Sequence, residues 1–197
     1  FDWLGAGLIA VALVLLLLAV TNGGHRVEWA SPVIAIAFVL SGILLAGFIW
    51  RERNCAAPML HMALFANPTF SLGALAAFIA FLSTSSIFLL LPFYLQEVLL
   101  YPPHTAGLIL ISSAACMAIM GPIAGRLTDQ YGWKRLTVLG AGISAMGMLL
   151  LTRISSESGV MLVGIALVCH GLGGGMFHTA NHTSVMASTE SSRYGVA

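Results

Sequence analysis

The amino-acid sequence predicts an all-α membrane protein with six transmembrane helices. Hydrophobic residues make up 59% of the 197 residues and charged residues only 8%, whereas a soluble domain carries roughly 25% charged residues. The mean hydropathy of +0.98 agrees with an apolar surrounding. Apolar runs of about 20 residues, the length that crosses the hydrocarbon core, recur with short polar breaks between them. A soluble helical bundle, the alternative, would need polar helix faces that these runs lack.

Short polar segments separate the runs and set the limits of the predicted helices. Asn22-Gly23-Gly24 and Pro32 lie between the first and second runs, and Tyr101-Pro102-Pro103 lies between the third and fourth. Such residues favour turns, so each segment is expected to end one helix before the next begins. The predicted helices comprise residues 3–20, 32–50, 70–95, 106–127, 135–152 and 160–182.

The lysine and arginine residues are unevenly divided between the two predicted sides of the membrane. Two of them, Arg26 and Arg153, fall on one side, and the other six fall on the opposite side. Cytoplasmic segments carry the excess of positive charge. This predicts that the chain starts and ends on the cytoplasmic side, which then holds Arg51, Arg53, Arg126, Lys134, Arg135 and Arg193.

The connector 51–69 has a pattern of its own. Met59, Leu60, Leu64 and Phe65 recur at helical spacing between two prolines. The pattern predicts an amphipathic stretch on the cytoplasmic membrane surface, and an irregular apolar linker is the alternative. The expected organisation is therefore a transmembrane hairpin in residues 1–50, this connector in 51–69 and a helical bundle in 70–197.

Cysteine spacing, charge and the chain ends narrow the possible classes further. Cys55, Cys116 and Cys169 lack the paired spacing of a disulfide framework or zinc site, so we expect neither a metal nor a cofactor. No basic patch suggests nucleic acid as a partner. The chain begins at Phe1 without a methionine or a signal peptide and stops at Ala197 in a predicted loop. We therefore expect a fragment of a longer protein.

One short segment between the fourth and fifth predicted helices combines two glycines, a carboxylate and three cations. Gly125 is expected to permit close helix packing, and Gly132 to permit a turn with positive φ. Asp129 precedes the fifth helix, so that the amides of this helix or the neighbouring cations can hold its charge. This predicts a breakable contact in a short cytoplasmic loop, which reads Gly125-Arg126-Leu127-Thr128-Asp129-Gln130-Tyr131-Gly132-Trp133-Lys134-Arg135.

The segment resembles the loop motif G-x-L-x-D-x-x-G-[RK]-[RK] of the major facilitator superfamily, with Trp133 where the first basic residue is common. In that family the motif joins the second and third helices of a six-helix half and gates the cytoplasmic side. The resemblance implies a major facilitator fold in which the third predicted helix opens the C-terminal half. The gating residues would be Gly125, Arg126, Asp129, Gly132, Lys134 and Arg135.

Other segments resemble one branch of that family, the fourteen-span drug:proton antiporters. By this resemblance, the six helices are an accessory hairpin followed by the first four helices of the C-terminal half. A twelve-span arrangement is the alternative, but the first helix lacks the Gly-Pro-rich signature that the fifth helix of drug exporters carries. The segments concerned are Phe1-Asp2-Trp3-Leu4-Gly5, Leu91-Pro92-Phe93-Tyr94-Leu95-Gln96-Glu97, Ala106-Gly107-Leu108 and residues 173–177.

Polar residues inside the predicted helices concentrate in the third and sixth. The resemblance implies that these two helices, the first and fourth of the half, line the central cavity. For the hydroxyls of the third helix, bonding to the preceding helical turn is the alternative. The candidates for a substrate or proton path are Ser83, Thr84, Ser85, Ser86, His170, His178, Asn181 and His182.

The histidines allow two kinds of chemistry. His170 could bind and release a proton because histidine titrates near neutral pH, and a neutral hydrogen-bonded histidine is the alternative. His178 and His182 share a helix face at a spacing that metal sites use, but two ligands alone do not make a site. We expect these two at the mouth of the path. No Asp or Glu lies mid-membrane, so the main proton carrier is not identified.

Small residues in the apolar helices predict packing or bending. Gly171 and Gly175 form a small-xxx-small face on the sixth helix. Gly121 and Pro122 are expected to bend the fourth helix. Plain helix packing is an equal alternative for both pairs.

The expected function is secondary transport rather than enzyme catalysis: export of small organic compounds or drugs by proton antiport through alternating access. By resemblance, the partners are an organic substrate, protons and the lipid of a bacterial cytoplasmic membrane, and a periplasmic adaptor protein is left open. One alternative is symport or uniport of another solute. The other is a metal-dependent membrane enzyme that uses His178 and His182.

Overall fold

A computed structural model of the chain describes residues 2–24, 29–55, 62–155 and 159–188. The helices in these residues are α1 (Trp3–Asn22), α2 (Pro32–Asn54), α3 (Pro68–Phe93), α4 (Pro103–Tyr131), α5 (Trp133–Leu151) and α6 (Val160–Ala187). All six are long and apolar enough to cross a membrane, as judged by length and composition. The predicted all-α fold with six transmembrane helices is confirmed.

Caps and prolines start several helices at positions that hydropathy alone does not mark. The Asp2 carboxylate accepts a hydrogen bond from the Gly5 N–H at 3.0 Å and so caps α1. Pro68 and Pro103 occupy the first turns of α3 and α4, where a missing N–H costs no helical hydrogen bond. The predicted starts at residues 70 and 106 were therefore two to three residues late.

The C-terminal end of α3 departs from regular helix geometry. Pro92 lies inside α3, and Tyr94–Val98 continue the chain as a π-helical turn. Proline cannot donate to the carbonyl one turn earlier, so the helix is weakened at this point. Leu95 in the widened turn is nonetheless fully buried, and Leu100 closes the segment with a φ of 56°.

The connector before α3 differs from the amphipathic helix that its pattern predicts. Helix α2 continues to Asn54, and Met62–Ala66 form a single 3-10 turn. Leu64 is buried there and Phe65 is half exposed. Residues 56–61, including Met59 and Leu60 of the predicted pattern, lie outside the described residues. The location of this connector on the membrane surface stays a prediction.

The chain divides into two compact units, one ending at Ala66 and the other beginning at Asn67. In the first unit, α1 and α2 form an antiparallel hairpin. Ser41 Oγ donates to the Ala12 carbonyl at 2.8 Å in its middle. At its open end the Arg51 guanidinium donates to both carboxylate oxygens of Asp2 at 2.8–3.0 Å. The hydropathy of the sequence predicts neither of these two contacts.

In the second unit, α6 is the central helix. It packs against α3, α4 and α5, and half of its most apolar window is buried, against 11–17% for the other three. Glycine, alanine and serine dominate the buried positions, which allows close backbone approach. The buried residues of α6 are Val163, Ala166, Leu167, His170, Gly171, Gly173, Gly174, Gly175, Phe177, Ala180, Asn181 and Ser184.

Candidate functional site

Polar contacts join α3 to α6 at matched positions. Asn181 Nδ2 donates to the Gly73 carbonyl at 3.0 Å, and Thr84 Oγ1 lies 3.2 Å from His170 Nε2. From the first contact to the second, α3 advances from residue 73 to 84 while α6 runs back from 181 to 170. The two helices are therefore antiparallel, and they stay in register over about three turns.

His170 is the polar centre of this unit. It is 4% exposed, and its Nδ1 lies 3.0 Å from Ser144 Oγ on α5. Thr84 Oγ1 also donates to the Ala80 carbonyl at 3.0 Å, so it is placed to accept a hydrogen bond from Nε2–H of the ring. Nδ1 can then accept from the Ser144 hydroxyl, as one tautomer of a neutral imidazole requires. His170 is therefore hydrogen-bonded within the helix bundle, as the alternative interpretation expects. A role for His170 in carrying protons stays a prediction.

Only one of the four consecutive hydroxyl residues on α3 reaches this centre. Thr84 contacts His170, whereas Ser85 and Ser86 are exposed and Ser83 is partly buried. Ser86 Oγ donates to the Leu82 carbonyl at 2.9 Å, which is the back-bonding alternative. The structure therefore joins Thr84 to His170 and leaves the other three hydroxyls outside the contact.

The remaining polar residues of α6 are spread over different surroundings. Asn181 is buried, His178 is partly buried with its ring edge-on to Phe177 at a centroid distance of 5.3 Å, and His182 is exposed. In the part of the chain that the structure describes, no group of three or more His, Cys, Asp or Glu residues could hold a metal ion. His178 and His182 have no third ligand among these residues.

The glycine-rich motif is a helix end and not the short loop that the sequence predicts. Helix α4 continues to Tyr131 and α5 starts at Trp133, so that Gly132 alone separates them. Thr128 is buried and donates to the Ala124 carbonyl at 2.7 Å, which extends the packed face of α4 beyond its apolar run. Gly132 has a φ of 83°, and its predicted positive φ is confirmed.

The predicted contacts of Asp129 are absent from this conformation. Asp129 lies on the last turns of α4 and is exposed, as are Arg126, Lys134 and Arg135. Asp129 forms no ion pair with these cations, and the first turn of α5 has no side-chain cap. Because α4 continues past Asp129, the carboxylate cannot take the capping position before α5 that the sequence suggested. Lys134 Nζ instead lies 5.4 Å from the centre of the Trp133 ring.

The glycines of α6 contact α4 closely, whereas the glycine of the motif does not. A Cβ at Gly171 would meet the Ser113 carbonyl, and one at Gly175 would lie 2.8 Å from the Met117 carbonyl oxygen. The predicted small-residue face is confirmed as a packing surface. A Cβ at Gly125 would lie 3.9 Å from Thr179 Cγ2, in ordinary contact, so Gly125 makes no close approach to the described residues, and the one predicted for it stays a prediction.

The Gly121-Pro122 step lies within a single continuous α4. The Thr179 hydroxyl donates to the Gly121 carbonyl at 3.5 Å, and Pro122 lies in the same helix. The bend predicted for this step stays a prediction.

Sequence reasoning missed the contribution of α5 to the site. Ser144 binds His170, and it lies between Gly140 and Gly147 on one helix face. A Cβ at Gly147 would lie 2.6 Å from the Ala166 carbonyl oxygen, and one at Gly140 would lie 2.5 Å from the Phe177 nitrogen. The spacing of small residues at positions 140, 144 and 147 was the available signal.

These features define a multi-pass α-helical membrane protein whose buried site is built by packing of small residues and by hydroxyl, amide and imidazole groups. The family model of the Major Facilitator Superfamily matches residues 73–197. The chain belongs to this superfamily, as the resemblance of the motif implied. Its members are membrane transporters, so the alternative of a metal-dependent enzyme built on His178 and His182 was wrong.

Several curated proteins are similar to this chain. Lincomycin resistance protein LmrB of Listeria monocytogenes is 32% identical over 149 residues, which cover 71% of the chain and 32% of that protein. Multidrug resistance protein Stp of Mycobacterium tuberculosis is 30% identical over 200 residues, covering 100% of the chain and 36% of Stp. Riboflavin transporter RibZ of Clostridioides difficile is 26% identical over 195 residues, covering 99% and 41%. The chain therefore spans about a third to two fifths of the length of these relatives.

Proposed function

We propose that the protein containing this chain exports small organic compounds across the bacterial cytoplasmic membrane in exchange for protons. The observation that carries the proposal is the similarity to relatives named for lincomycin resistance and multidrug resistance, at 30–32% identity over 71–100% of the chain. Binding would occur at the interface of two halves and would be exposed to each side of the membrane in turn.

In this proposal the chain supplies the accessory hairpin and the first four helices of the C-terminal half of a fourteen-span transporter. Residues 1–50 would be the hairpin, 51–69 the connector and 70–197 the partial half. The division into compact units at Asn67 and the start of the family match at residue 73 support these limits. The motif around Gly132 then joins the second and third helices of that half, which are α4 and α5.

The proposed orientation places the Gly132 end of the second unit in the cytoplasm. That end holds the N-termini of α3 and α5 and the C-termini of α4 and α6, and it carries Arg126, Lys134 and Arg135. Six of the eight Lys and Arg residues fall on this side by the sequence assignment, and excess positive charge is characteristic of cytoplasmic segments. The chain starts and ends on the same side in this orientation.

Asp129 would act in gating through a contact that forms in another conformation. It is exposed and unpaired with Arg126, Lys134 or Arg135 here, so it is free to meet a cation or a helix end when the halves close. Asp129→Asn tests this role, because it removes the charge from a side chain that supports no described contact of the fold. We expect slower transport at an unchanged thermal midpoint, with Gln130→Ala as the neighbouring exposed control; unchanged transport would exclude the gate.

His170 and Thr84 are the best supported of the path residues. They meet in the buried centre between α3, α5 and α6, while Ser85 and His182 are exposed and are proposed to line the central cavity and its mouth. Ionisable groups inside the membrane face the protein interior or a water-filled cavity. Ser83, Ser86, His178 and Asn181 remain proposed members of the same path.

Transport by the full-length protein in everted membrane vesicles tests the proposed function. A fluorescent organic cation should accumulate when the vesicle interior is acid, and nigericin, which collapses the pH gradient, should release it. A protonophore-insensitive movement down the substrate gradient would contradict antiport. These measurements test directly whether transport is coupled to protons. Whether a periplasmic adaptor protein is a partner is tested by measuring drug resistance of cells with and without such a protein.

Symport or uniport of another solute is the second candidate, and the similarity to riboflavin transporter RibZ over 99% of the chain favours considering it. The same vesicles, loaded with or bathed in riboflavin, separate the two. Riboflavin movement down its own gradient that is unchanged when the pH gradient is collapsed would support uniport, and riboflavin movement in the same direction as protons would support symport.

A further inference from the structure

We propose that the turn between α4 and α5 binds the headgroup of an anionic phospholipid. The site, here called the basic pocket, is the concave surface around Gly132 in the second unit, and Lys134 and Arg135 supply its positive charge. The proposal concerns the lipid that surrounds the protein, so it depends neither on the cargo nor on coupling to protons.

The basic pocket lies at the junction of two transmembrane helices. Helix α4 ends at Tyr131 and α5 begins at Trp133, and Gly132 with a φ of 83° turns the main chain between them. The pocket has a volume of about 400 Å³, which falls within the range of roughly 300–1,000 Å³ that small-molecule sites occupy. Its lining residues are Gln130, Tyr131, Gly132, Trp133, Lys134 and Arg135.

Two cations line the pocket without an acid to balance them. Lys134 and Arg135 are both exposed, and neither forms an ion pair with an acid among the described residues. Asp129, the nearest acid along the chain, is itself exposed on α4, and the first turn of α5 contains no acid. The partial positive charge at the start of α5 adds to the charge of the two side chains. The pocket therefore favours an anion.

The register of α5 places these cations beside exposed apolar side chains. Lys134 is four residues before Val138 and Arg135 is four residues before Leu139, so each cation lies on the same side of α5 as an apolar residue one turn further along. Val138 is 72% exposed and Leu139 is 56% exposed, whereas α5 packs on α6 through Gly140. Long cationic side chains near the end of a membrane helix extend to the interface. This register puts the two charges at headgroup level, directly above a surface that suits acyl chains.

The length of α5 agrees with this level. Its 19 residues span about 28 Å at 1.5 Å per residue, close to the roughly 30 Å of the hydrocarbon core. The first turn of α5, which holds Lys134 and Arg135, therefore lies at the edge of the core, where the phosphate groups of lipids begin.

Two aromatic residues flank the cations at this level. Tyr131 is exposed and Trp133 is partly buried, and both residue types are enriched at membrane–water interfaces. Lys134 Nζ lies 5.4 Å from the centre of the Trp133 ring, within the distance of a cation–π interaction. This contact holds the ammonium group at the pocket instead of leaving it extended in water.

A phosphodiester headgroup matches the two cations. The planar Arg135 guanidinium can donate two parallel hydrogen bonds to phosphate oxygens, and the Lys134 ammonium acts as a point charge beside them. Phosphatidylglycerol keeps a net negative charge, whereas the choline group of phosphatidylcholine brings a positive charge close to the two cations. Free phosphate lacks the acyl chains that the exposed Val138 and Leu139 would contact. The pocket is therefore expected to select an anionic phospholipid.

Quenching of tryptophan fluorescence by brominated lipid tests the site in the full-length protein. Nanodiscs contain phosphatidylcholine and phosphatidylglycerol with bromine on one lipid or the other, and the signal of Trp133 is the part of the fluorescence that Trp133→Phe removes. We expect phosphatidylglycerol to bind beside Trp133 at least about tenfold more tightly than phosphatidylcholine, because each Lys or Arg near the membrane surface adds to the attraction for anionic lipid. Equal quenching by the two lipids would overturn the proposal.

Removal of the charge should abolish this preference. Lys134→Gln combined with Arg135→Gln should no longer favour phosphatidylglycerol, whereas the charge-preserving pair Lys134→Arg with Arg135→Lys should retain the preference. Arg53→Gln is the matched control, because Arg53 is an exposed cation near the end of α2 and does not line the pocket. A preference that survives the double glutamine variant, or one that Arg53→Gln lowers as much, would contradict a specific site.

Two further measurements distinguish lipid from other anions. Inorganic phosphate, added at an ionic strength matched with chloride, should leave the preference unchanged; its loss would identify free phosphate as the ligand and overturn the proposal. In nanodiscs of phosphatidylcholine alone, the double glutamine variant should unfold no earlier than the wild type. A lower midpoint there, equal to that in phosphatidylglycerol, would assign the cations to an acidic segment of the protein and overturn it as well. These readouts need no transport, so a failure of the proposed export activity would not affect them.

Discussion

Gly140 of α5 lies directly against the main chain of Phe177 on α6, where a Cβ would fall 2.5 Å from the Phe177 nitrogen and 2.9 Å from its Cα. Both neighbours are backbone atoms, which cannot move aside as a flexible side chain can. The contact holds α5 close enough for the Ser144 hydroxyl to reach His170. The geometry of the polar centre thus depends on a glycine that lies about one turn from Ser144, the residue of α5 that contacts the histidine.

Gly140→Ala is expected to destabilise the second unit. The added methyl group must push α5 from α6, and overpacking of this kind costs about 1–3 kcal/mol in the free energy of unfolding. Gly142→Ala on the same helix is the matched control, because a Cβ there meets nothing within 4 Å. Thermal unfolding of the purified full-length protein in detergent measures both. A midpoint for Gly140→Ala equal to that of Gly142→Ala would contradict the close packing.

The two glycines of the motif are expected to respond differently to alanine. Gly132 has φ 83° and ψ 148°, a backbone region that is essentially confined to glycine, so Gly132→Ala should cost about 1–3 kcal/mol. Gly125→Ala should be tolerated, since its Cβ would rest 3.9 Å from Thr179 Cγ2. Denaturation midpoints of the two variants provide the comparison. Equal losses of stability would contradict the expected difference between the two glycines.

The Asp2–Arg51 ion pair is expected to make the stability of the α1–α2 hairpin depend on pH. The hydrogen bonds from the Arg51 guanidinium are the largest cause, and the hydrogen bond from the Gly5 N–H is the second, of a pKa for Asp2 that is lowered from 3.8 to about 2. The unfolded carboxyl binds a proton more readily, so the stabilisation is complete above pH 3.8 and is lost as the pH falls toward 2. The difference in thermal unfolding midpoint between the wild type and Asp2→Asn should therefore become smaller as the pH falls from 3.8 to 2.

The matched control for this pair is Arg53→Gln. Arg53 is exposed and lies two residues from Arg51, and it forms no ion pair within the described part of the chain. Its replacement should lower the midpoint less than Arg51→Gln at neutral pH. A difference between the wild type and Asp2→Asn that persists unchanged at pH 2 would contradict the assignment of the acid transition to Asp2.

The fold of this chain could be predicted from sequence because its determinants are local. Apolar runs fix which segments cross the membrane, and the turn residues between them fix the breaks. Gly132 was predicted correctly because a positive φ is a property of one residue. The run of polar residues after Leu127 was read as a loop, since hydropathy does not register that Thr128 and Ala124 continue a buried face.

The site was only partly predictable because its contacts join distant residues. His170 and Thr84 could be singled out as polar groups in apolar helices, but their pairing depends on the register of α3 against α6. Ser144 gives no such signal, since a serine in a membrane helix can bond to its own backbone. The family resemblance supplied the helix order, and it contained no information on which α5 residue faces the histidine.

Removal of either hydroxyl partner of His170 is expected to destabilise the polar centre. Ser144→Ala leaves Nδ1 without its partner at 3.0 Å, and Thr84→Val leaves Nε2 without its partner at 3.2 Å; an unsatisfied buried group costs about 1–3 kcal/mol. Ser86→Ala is the control, because its exposed hydroxyl bonds only to the Leu82 carbonyl of its own helix, and its effect should stay within about 0.5 kcal/mol.

The double variant Ser144→Ala with Thr84→Val should cost less than the sum of the single ones, since both partners belong to one imidazole. Additive losses in thermal unfolding, or a Ser86→Ala effect as large as that of Thr84→Val, would show that His170 does not couple α3 to α5.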